Sequence, residues 1–244
     1  MKIAALSDIH GNIAALDAVL ADIATRAIDV TVNLGDICSG PLFPAETAQR
    51  LMALDLPTVR GNHERQVLDG RIERMGASDA HAAQTMTAEQ IAWFASLPET
   101  LQLTPDVLMV HGTAHSDVVH FLHTVDEQGI HSASEAEVAA RAQGTDAAII
   151  LCGHTHIPGQ VRLSDGRTVI NPGSVGLQAY DDDHPCAYRV EMGSPHARYA
   201  VIETQGADCT VEFVAVPYDW DGAAQTAEAR GRSDWVNALR TGRM

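Results

Sequence analysis

The sequence predicts an α/β fold organised around a parallel sheet, and three observations carry that reading. Short apolar runs alternate with amphipathic stretches through the first sixty or so residues. Each run ends abruptly in polar residues, as buried strands do. Those polar ends carry His, Asp and Asn, at the carboxyl ends of strands where open α/β sheets place their sites.

Lys2 to Ser7 reads as the first buried strand, with Asp8-Ile9-His10-Gly11 as the loop at its end. Asn12 suits an N-cap for a helix over Ile13 to Arg26, whose Ile13, Leu16, Val19, Leu20 and Ile23 make one apolar stripe. Asp29 to Leu34 is the second strand and ends in Gly35-Asp36. A helix follows from Pro44, a residue suited to a first turn, to Leu54. Pro57 to Arg60 reads as a third short strand ending in Gly61-Asn62-His63. Strand-helix-strand-helix-strand order implies right-handed crossovers.

Residues 64–97, rich in Ala, Glu, Gln and Met, read as a helical insert of two or three helices over the rim of the site. Thr87-x-x-Gln90 marks one helix start. Thr100 to Leu103 and Val107 to Val110 form a hairpin that leads to His111. Thr113 to Ile130 reads as a long histidine-bearing loop, and Ser134 to Gln143 as a helix. Ala147 to Leu151 is the strand that presents Cys152-Gly153-His154-Thr155-His156. Two hairpins follow, turning at Ser164–Arg167 and Thr204–Asp208, then one helix over Asp221 to Leu239. No repeat, low-complexity tract or linker divides the chain, so a single domain over 1–244 is expected.

The formal net charge of −16 disfavours duplex nucleic acid as the habitual partner, because little basic surface is available to release counterions. No apolar run approaches the ~20 residues that span a bilayer, so no membrane association is expected. A start carrying Asp8 and His10 so early does not read as a leader. Four cysteines without metal spacing read as reduced thiols of a cytoplasmic protein.

Each polar strand end is a weak signal alone. Together, five separated segments supply two four-ligand sets of N and O donors. Asp8, His10, Asp36 and His156 make one; Asp36, Asn62, His111 and His154 make the other. Asp36 would bridge, since a carboxylate has two oxygens. Two divalent transition-metal ions per chain are expected. Manganese is the first choice, with iron, zinc, nickel and cobalt as alternatives for an all-N,O set. Such a pair lowers the pKa of a bridging water and clamps a phosphoryl group, so hydroxide attack on phosphorus is the chemistry expected. His63, left over beside the set, would be the acid for the leaving alkoxide, with Glu64 or Asp36 fixing its ring. Asn62, Arg60 and His115 are the candidate substrate contacts, although Arg60 also suits a structural ion pair.

The set resembles the calcineurin-like metallophosphoesterase family, whose pattern reads here as Asp8-x-His10, Gly35-Asp36, Gly61-Asn62-His63-Glu64, His111 and Gly153-His154-x-His156. The resemblance implies two stacked mixed β-sheets flanked by helices, with a dinuclear centre at the sheet ends. Asn171-Pro172-Gly173-Ser174-Val175-Gly176 resembles the small bacterial and archaeal phosphodiesterase branch. Protein phosphatases and diadenosine tetraphosphate hydrolases of the family carry an arginine soon after Gly-Asp. Here the segment is Gly35-Asp36-Ile37-Cys38-Ser39-Gly40. A monoanionic diester needs that clamp less than a dianionic monoester, so a phosphodiesterase acting on a small phosphate ester is expected. The alternatives are a phosphomonoesterase or protein phosphatase of the same fold, a nuclease, and a non-catalytic protein-binding scaffold. A scaffold has little use for His63 beside a complete ligand set. Homo-oligomerisation stays open.

Overall fold

The computed structural model describes residues 1–244. β1 (Lys2–Leu6) is buried on both faces. Side chains of a strand alternate, so Ile3 and Ala5 enter one core cluster while Ala4 and Leu6 enter another. α1 (Ile13–Ile23) starts where Asn12 caps it, its side chain accepting from the Ala15 amide. β2 (Val30–Asn33), α2 (Pro44–Leu54), α3 (Asn62–Leu68), α4 (Ala77–Thr85) and α5 (Ala88–Ser96) follow. The hairpin of β3 (Thr100–Thr104) and β4 (Val107–Val110) comes next, then a second of β5 (His123–Asp126) and β6 (Gly129–Ser132). α6 (Glu135–Arg141) leads to β7 (Ile149–Leu151), β8 (Gly159–Arg162), β9 (Thr168–Asn171), β10 (Ala179–Asp182) and β11 (Tyr188–Glu191). The chain closes with β12 (Ala197–Gln205), β13 (Asp208–Val216), α7 (Trp220–Ala229) and α8 (Ser233–Thr241).

Two mixed sheets result, ordered β13-β12-β1-β2 and β3-β4-β7-β9-β8. β1–β2, β4–β7 and β7–β9 are parallel; the other pairings are antiparallel. Ile3, Ala5, Val32 and Ile202 of the first sheet meet Val107, Met109, Leu151 and Ile170 of the second in one buried cluster. Helices cover the outer faces: α1, α2 and α5 on the first sheet, α6 on the second. This is the four-layer α/β/β/α arrangement expected from the resemblance.

Five elements depart from the sequence reading. Pro57–Arg60 forms no strand of its own; Thr58 makes a lone parallel bridge to Asn33, because a proline and a two-residue reach leave no room for a ladder. Residues 64–97 do not lie only over the rim. Phe94, Leu97, Ala82 and Val67 are buried with α1 and α2, so the helices are part of the core. The loop after His111 contains the β5–β6 hairpin, and Ala179–Asp182 pairs with Tyr188–Glu191 in a further hairpin that the sequence pattern does not announce. The C-terminal helix is two helices. Gly231 (φ 74°) breaks it, and Trp235, Ala238 and Leu239 pack back on Leu42, Leu177 and Ala179.

Candidate metal centre

The loops after β1, β2, β4 and β7 and the start of α3 converge at one end of the stacked sheets. Asp8, His10 and His156 gather there in one set, and Asp36, His111 and His154 in a second. The Asn62 Oδ1 lies 3.1 Å from His111 Nε2 and joins the second set. Asp36 Oδ2 is also 3.1 Å from that nitrogen. All seven sequence-predicted metal ligands are therefore brought together.

The backbone is bent to aim them. Asp8 (φ 56°), His10 (53°), Asp36 (55°), His154 (70°) and His156 (59°) adopt left-handed conformations. Each costs on the order of 1 kcal/mol for a non-glycine residue and persists only where neighbours over-determine it. The neighbours are visible. The His154 amide donates to Asp8 at 3.1 Å, and Glu64 accepts from the amides of Asp36 (2.9 Å), Ile37 (2.8 Å) and Gly61 (2.7 Å). Glu64 thus splints the loop after β2 to the start of α3 and does not touch the His63 ring. Asn171 donates to the Gly153 carbonyl, and the Ser174 hydroxyl to the Asp8 carbonyl, so the Asn171–Gly176 turn clamps two ligand loops from behind. A Cβ at Gly61 would stand 2.2 Å from Asp36 Oδ1, which explains the glycine before Asn62.

Hydrogen bonds fix the histidine tautomers. The Nδ1–H groups of His10, His111 and His156 donate to the carbonyls of Ser39 (2.7 Å), Leu34 (2.7 Å) and Leu177 (2.8 Å). Their Nε2 atoms are left facing the centre. His154 is reversed: Nε2 donates to the Val118 carbonyl at 3.1 Å and Nδ1 is free. Consequently the His10 and His156 Nε2 atoms face each other at 3.0 Å as two acceptors, with the Asp8 carboxylate at 3.5 Å. Buried acceptors aimed at one another are tolerable only around a cation, and carbonyl-anchored imidazoles are the usual orientation of metal-binding histidines. The residues present fit two divalent ions.

Electrostatics agree. Burial pushes His10 down to about 4, with His156 adding to it, so its ring is neutral. Burial, then His111 and His120, hold His154 well below the usual range. Burial works against the Asp36 carboxylate, yet His111 and His63 keep its pKa well below normal. Burial also opposes charge on His111, but Asp36 overrides it and carries that ring to about 9, so a cation binding there displaces a proton.

His63 lines the cavity in front of the two sets. Its Nδ1 is held by Asp79 of α4 at 2.8 Å, and its Nε2 lies 3.9 Å from Asp36 Oδ2. The ring is fixed by Asp79, a partner absent from the sequence reading, because an aspartate in an Ala-rich helix carries no motif. Two candidate substrate contacts lie elsewhere. Arg60 is paired with Glu99 at 2.5 Å and faces a separate surface hollow. His115 donates to the Gln143 carbonyl at 2.9 Å, outside the cavity. Cys38 and Cys152 are buried in apolar clusters and ligate nothing.

The cavity measures about 880 Å³. One wall is a chain of rings: Tyr180 lies 4.8 Å from His156, Tyr188 6.0 Å from Tyr180, His120 5.7 Å from Tyr188, and His154 4.9 Å from His120. Apart from the two ligand histidines it is supplied by the loop before β5 and by the β10–β11 hairpin. The opposite side receives Trp235 of α8, whose ring is 6.2 Å from that of His10. Gly40 makes room for it, since a Cβ there would stand 2.8 Å from the indole.

Known proteins resemble the chain in sequence and fold. The calcineurin-like phosphoesterase superfamily domain matches residues 1–194. An uncharacterised protein of Methanocaldococcus jannaschii is 26% identical over 257 residues, covering 96% of this chain and 95% of that protein. The crystal structure of a metallophosphoesterase from Sphaerobacter thermophilus superposes with a TM-score of 0.75 at 26% identity, covering 99% of this chain and 100% of the other. A hypothetical protein from Pyrococcus horikoshii OT3 shares the fold with a TM-score of 0.76 at 17% identity, covering 99% and 98%. With the domain matched over most of its length and the ligand loops converging as they do, the chain belongs to the calcineurin-like phosphoesterase superfamily.

Proposed function

We propose that the chain is a metal-dependent phosphodiesterase that hydrolyses a small phosphate diester. The observation that carries this reading is the meeting of seven N and O donors in two sets beside a histidine held by a carboxylate. Two divalent cations, when bound, supply Lewis-acid polarisation of water and of the phosphoryl oxygens. Asp8, His10 and His156 would hold one; Asn62, His111 and His154 the other; Asp36 would bridge. Manganese is the first choice of metal. His63 acts from its cavity-facing Nε2, donating a proton to the leaving alkoxide while Asp79 holds Nδ1.

The preference for a diester rests on charge at the centre. The segment Gly35–Gly40 brings no cation to it, and Arg60, paired with Glu99, faces a separate hollow. A substrate phosphate with one negative charge is the better match. The net charge of −16 argues that the substrate is small and not a duplex nucleic acid. No helix is long and apolar enough to cross a membrane.

The test is hydrolysis of bis(p-nitrophenyl) phosphate against p-nitrophenyl phosphate after chelation and re-addition of Mn, Ni, Co, Zn or Mg. Faster metal-dependent cleavage of the diester is expected. Faster cleavage of the monoester would replace this reading with a phosphatase, and no cleavage at two bound metals per chain would point to a binding role.

A further inference from the structure

The geometry points to Arg232 as a binding residue for a second anionic group on the substrate, such as a further phosphoryl or carboxylate group. This inference rests on the phosphoesterase reading and extends it to the part of the substrate away from the scissile phosphorus. Arg232 lies outside the residues matched by the family domain, at the start of α8, and lines the same cavity as His10, His63 and Trp235.

Two arginines line that cavity. Arg141 is tied to the wall around β5: its Nη1 donates to the Phe121 and His123 carbonyls at 3.0 Å, and its Nη2 to the Thr124 hydroxyl at 2.8 Å. Arg232 is different. Its Nε and Nη2 donate to Asp234 at 2.9 and 2.6 Å, and its Nη1 to the Ser78 hydroxyl at 3.0 Å. A guanidinium has five N–H groups, so one remains on each terminal nitrogen. Those two can donate to an oxyanion.

The group is also held still. Its carbon sits 5.7 Å from the centre of the Trp235 ring, a cation–π contact, and its side chain is only 20% exposed. Trp235 in turn rests on His10 and Gly40, while Ser78 adjoins the Asp79 that holds His63. The guanidinium is therefore positioned beside the His63 side of the cavity before any ligand arrives, which reduces the ordering cost of binding. Asp181 and Asp182 line the wall made by β10 and Asp234 lines the α8 side, so Arg232 and Arg141 are the guanidinium groups that an additional anion meets there. Asp234 offsets part of the charge, but its two oxygens occupy the other edge of the guanidinium.

Calorimetric titration of the metal-loaded chain with thymidine 3′,5′-bisphosphate and thymidine 5′-monophosphate tests this. Wild type is expected to bind the bisphosphate about tenfold more tightly, Arg232→Met to show no preference, and Arg232→Lys to keep part of it. Ser78→Ala, which leaves the Asp234 pair intact, is expected to reduce the preference and guards against misfolding of the Arg232 variants. Equal affinities in wild type, or a preference retained by Arg232→Met with unchanged melting, would overturn the inference. Because the readout is affinity, a chain that binds both nucleotides but cleaves no diester would refute the diesterase reading and leave this result standing.

Discussion

At the scale of single residues, the site depends as much on what holds the ligands as on the ligands. His63 illustrates it. Burial works against its charge, yet Asp36, then the Asp79 hydrogen bond, carry its pKa to about 10. An acid of this kind matters most when the leaving alkoxide is basic. His63→Ala is expected to retain both metals and to lose about 10²-fold or more in kcat with alkyl leaving groups, and far less with p-nitrophenolate. Asp79→Asn keeps the shape but offers the wrong hydrogen-bond partner to Nδ1. It is expected to lower kcat by about 10–100-fold with the same leaving-group dependence and little change in KM. Equal losses for both leaving groups would assign His63 to binding instead. The candidate ligands other than Asn62 were legible in the sequence because they follow apolar strands. Asp79, Trp235 and Arg232 were not, because they come from helices whose local pattern records only amphipathicity. Arg60 and His115 show the opposite error: closeness in sequence to a ligand does not fix direction, and Glu99 and the Gln143 carbonyl turn them away.

At the scale of elements, apolar periodicity was sufficient for β1, α1, α2, β4 and β7, whose buried faces leave a pattern. It failed for β5–β6 and β10–β11, small two-stranded hairpins whose short strands are largely polar or only partly buried. It failed again at the C-terminus, where Gly231 changes the direction of the chain without interrupting the amphipathic pattern. The union of α1 with the first sheet offers a measurable case. The Tyr199 hydroxyl of β12 donates to Asp22 of α1 at 2.5 Å, and Arg26 joins the pair and reaches Glu212 of β13. The Tyr199 bond, with burial opposing and Arg26 assisting, holds the Asp22 carboxyl below its ordinary value. A carboxyl depressed in the folded state adds stability above its unfolded pKa of about 3.9, and that gain is lost as pH falls through the folded value. Tyr199→Phe is therefore expected to cost about 0.5–1 kcal/mol at pH 7, a modest figure because Asp22 is 31% exposed. The difference from wild type should shrink below about pH 4. Denaturant midpoints at pH 7 and pH 3.5 measure it; a difference that does not change with pH would place the effect in packing.

At the scale of the whole molecule, the centre is where the two sheets are joined. Asp8 and Asp36 come from the ends of β1 and β2, and His111, His154 and His156 from the ends of β4 and β7. Each metal set therefore takes donors from both sheets. The cost of assembling it is concentrated there: five left-handed ligand residues, opposed lone pairs at 3.0 Å, and buried carboxylates that draw protons onto His111. A cation that binds this arrangement and not the unfolded chain stabilises the fold by mass action, about 2.7 kcal/mol at a hundredfold excess over Kd for one site. For a chain of 244 residues, 1 kcal/mol moves Tm by about 2–4 °C. Chelation is thus expected to lower Tm by about 5–10 °C per site at that excess, and titration of metal back should recover it with a break at two per chain. Asp36→Asn, which weakens the residue proposed to bridge, should flatten that recovery more than Asp8→Asn, which touches one set. A Tm indifferent to metal would mean that the protein scaffold bears the strain of the ligand loops unaided, with Glu64 and the Asn171–Gly176 clamp sufficient to hold them. Metal would then act in catalysis without contributing to the fold.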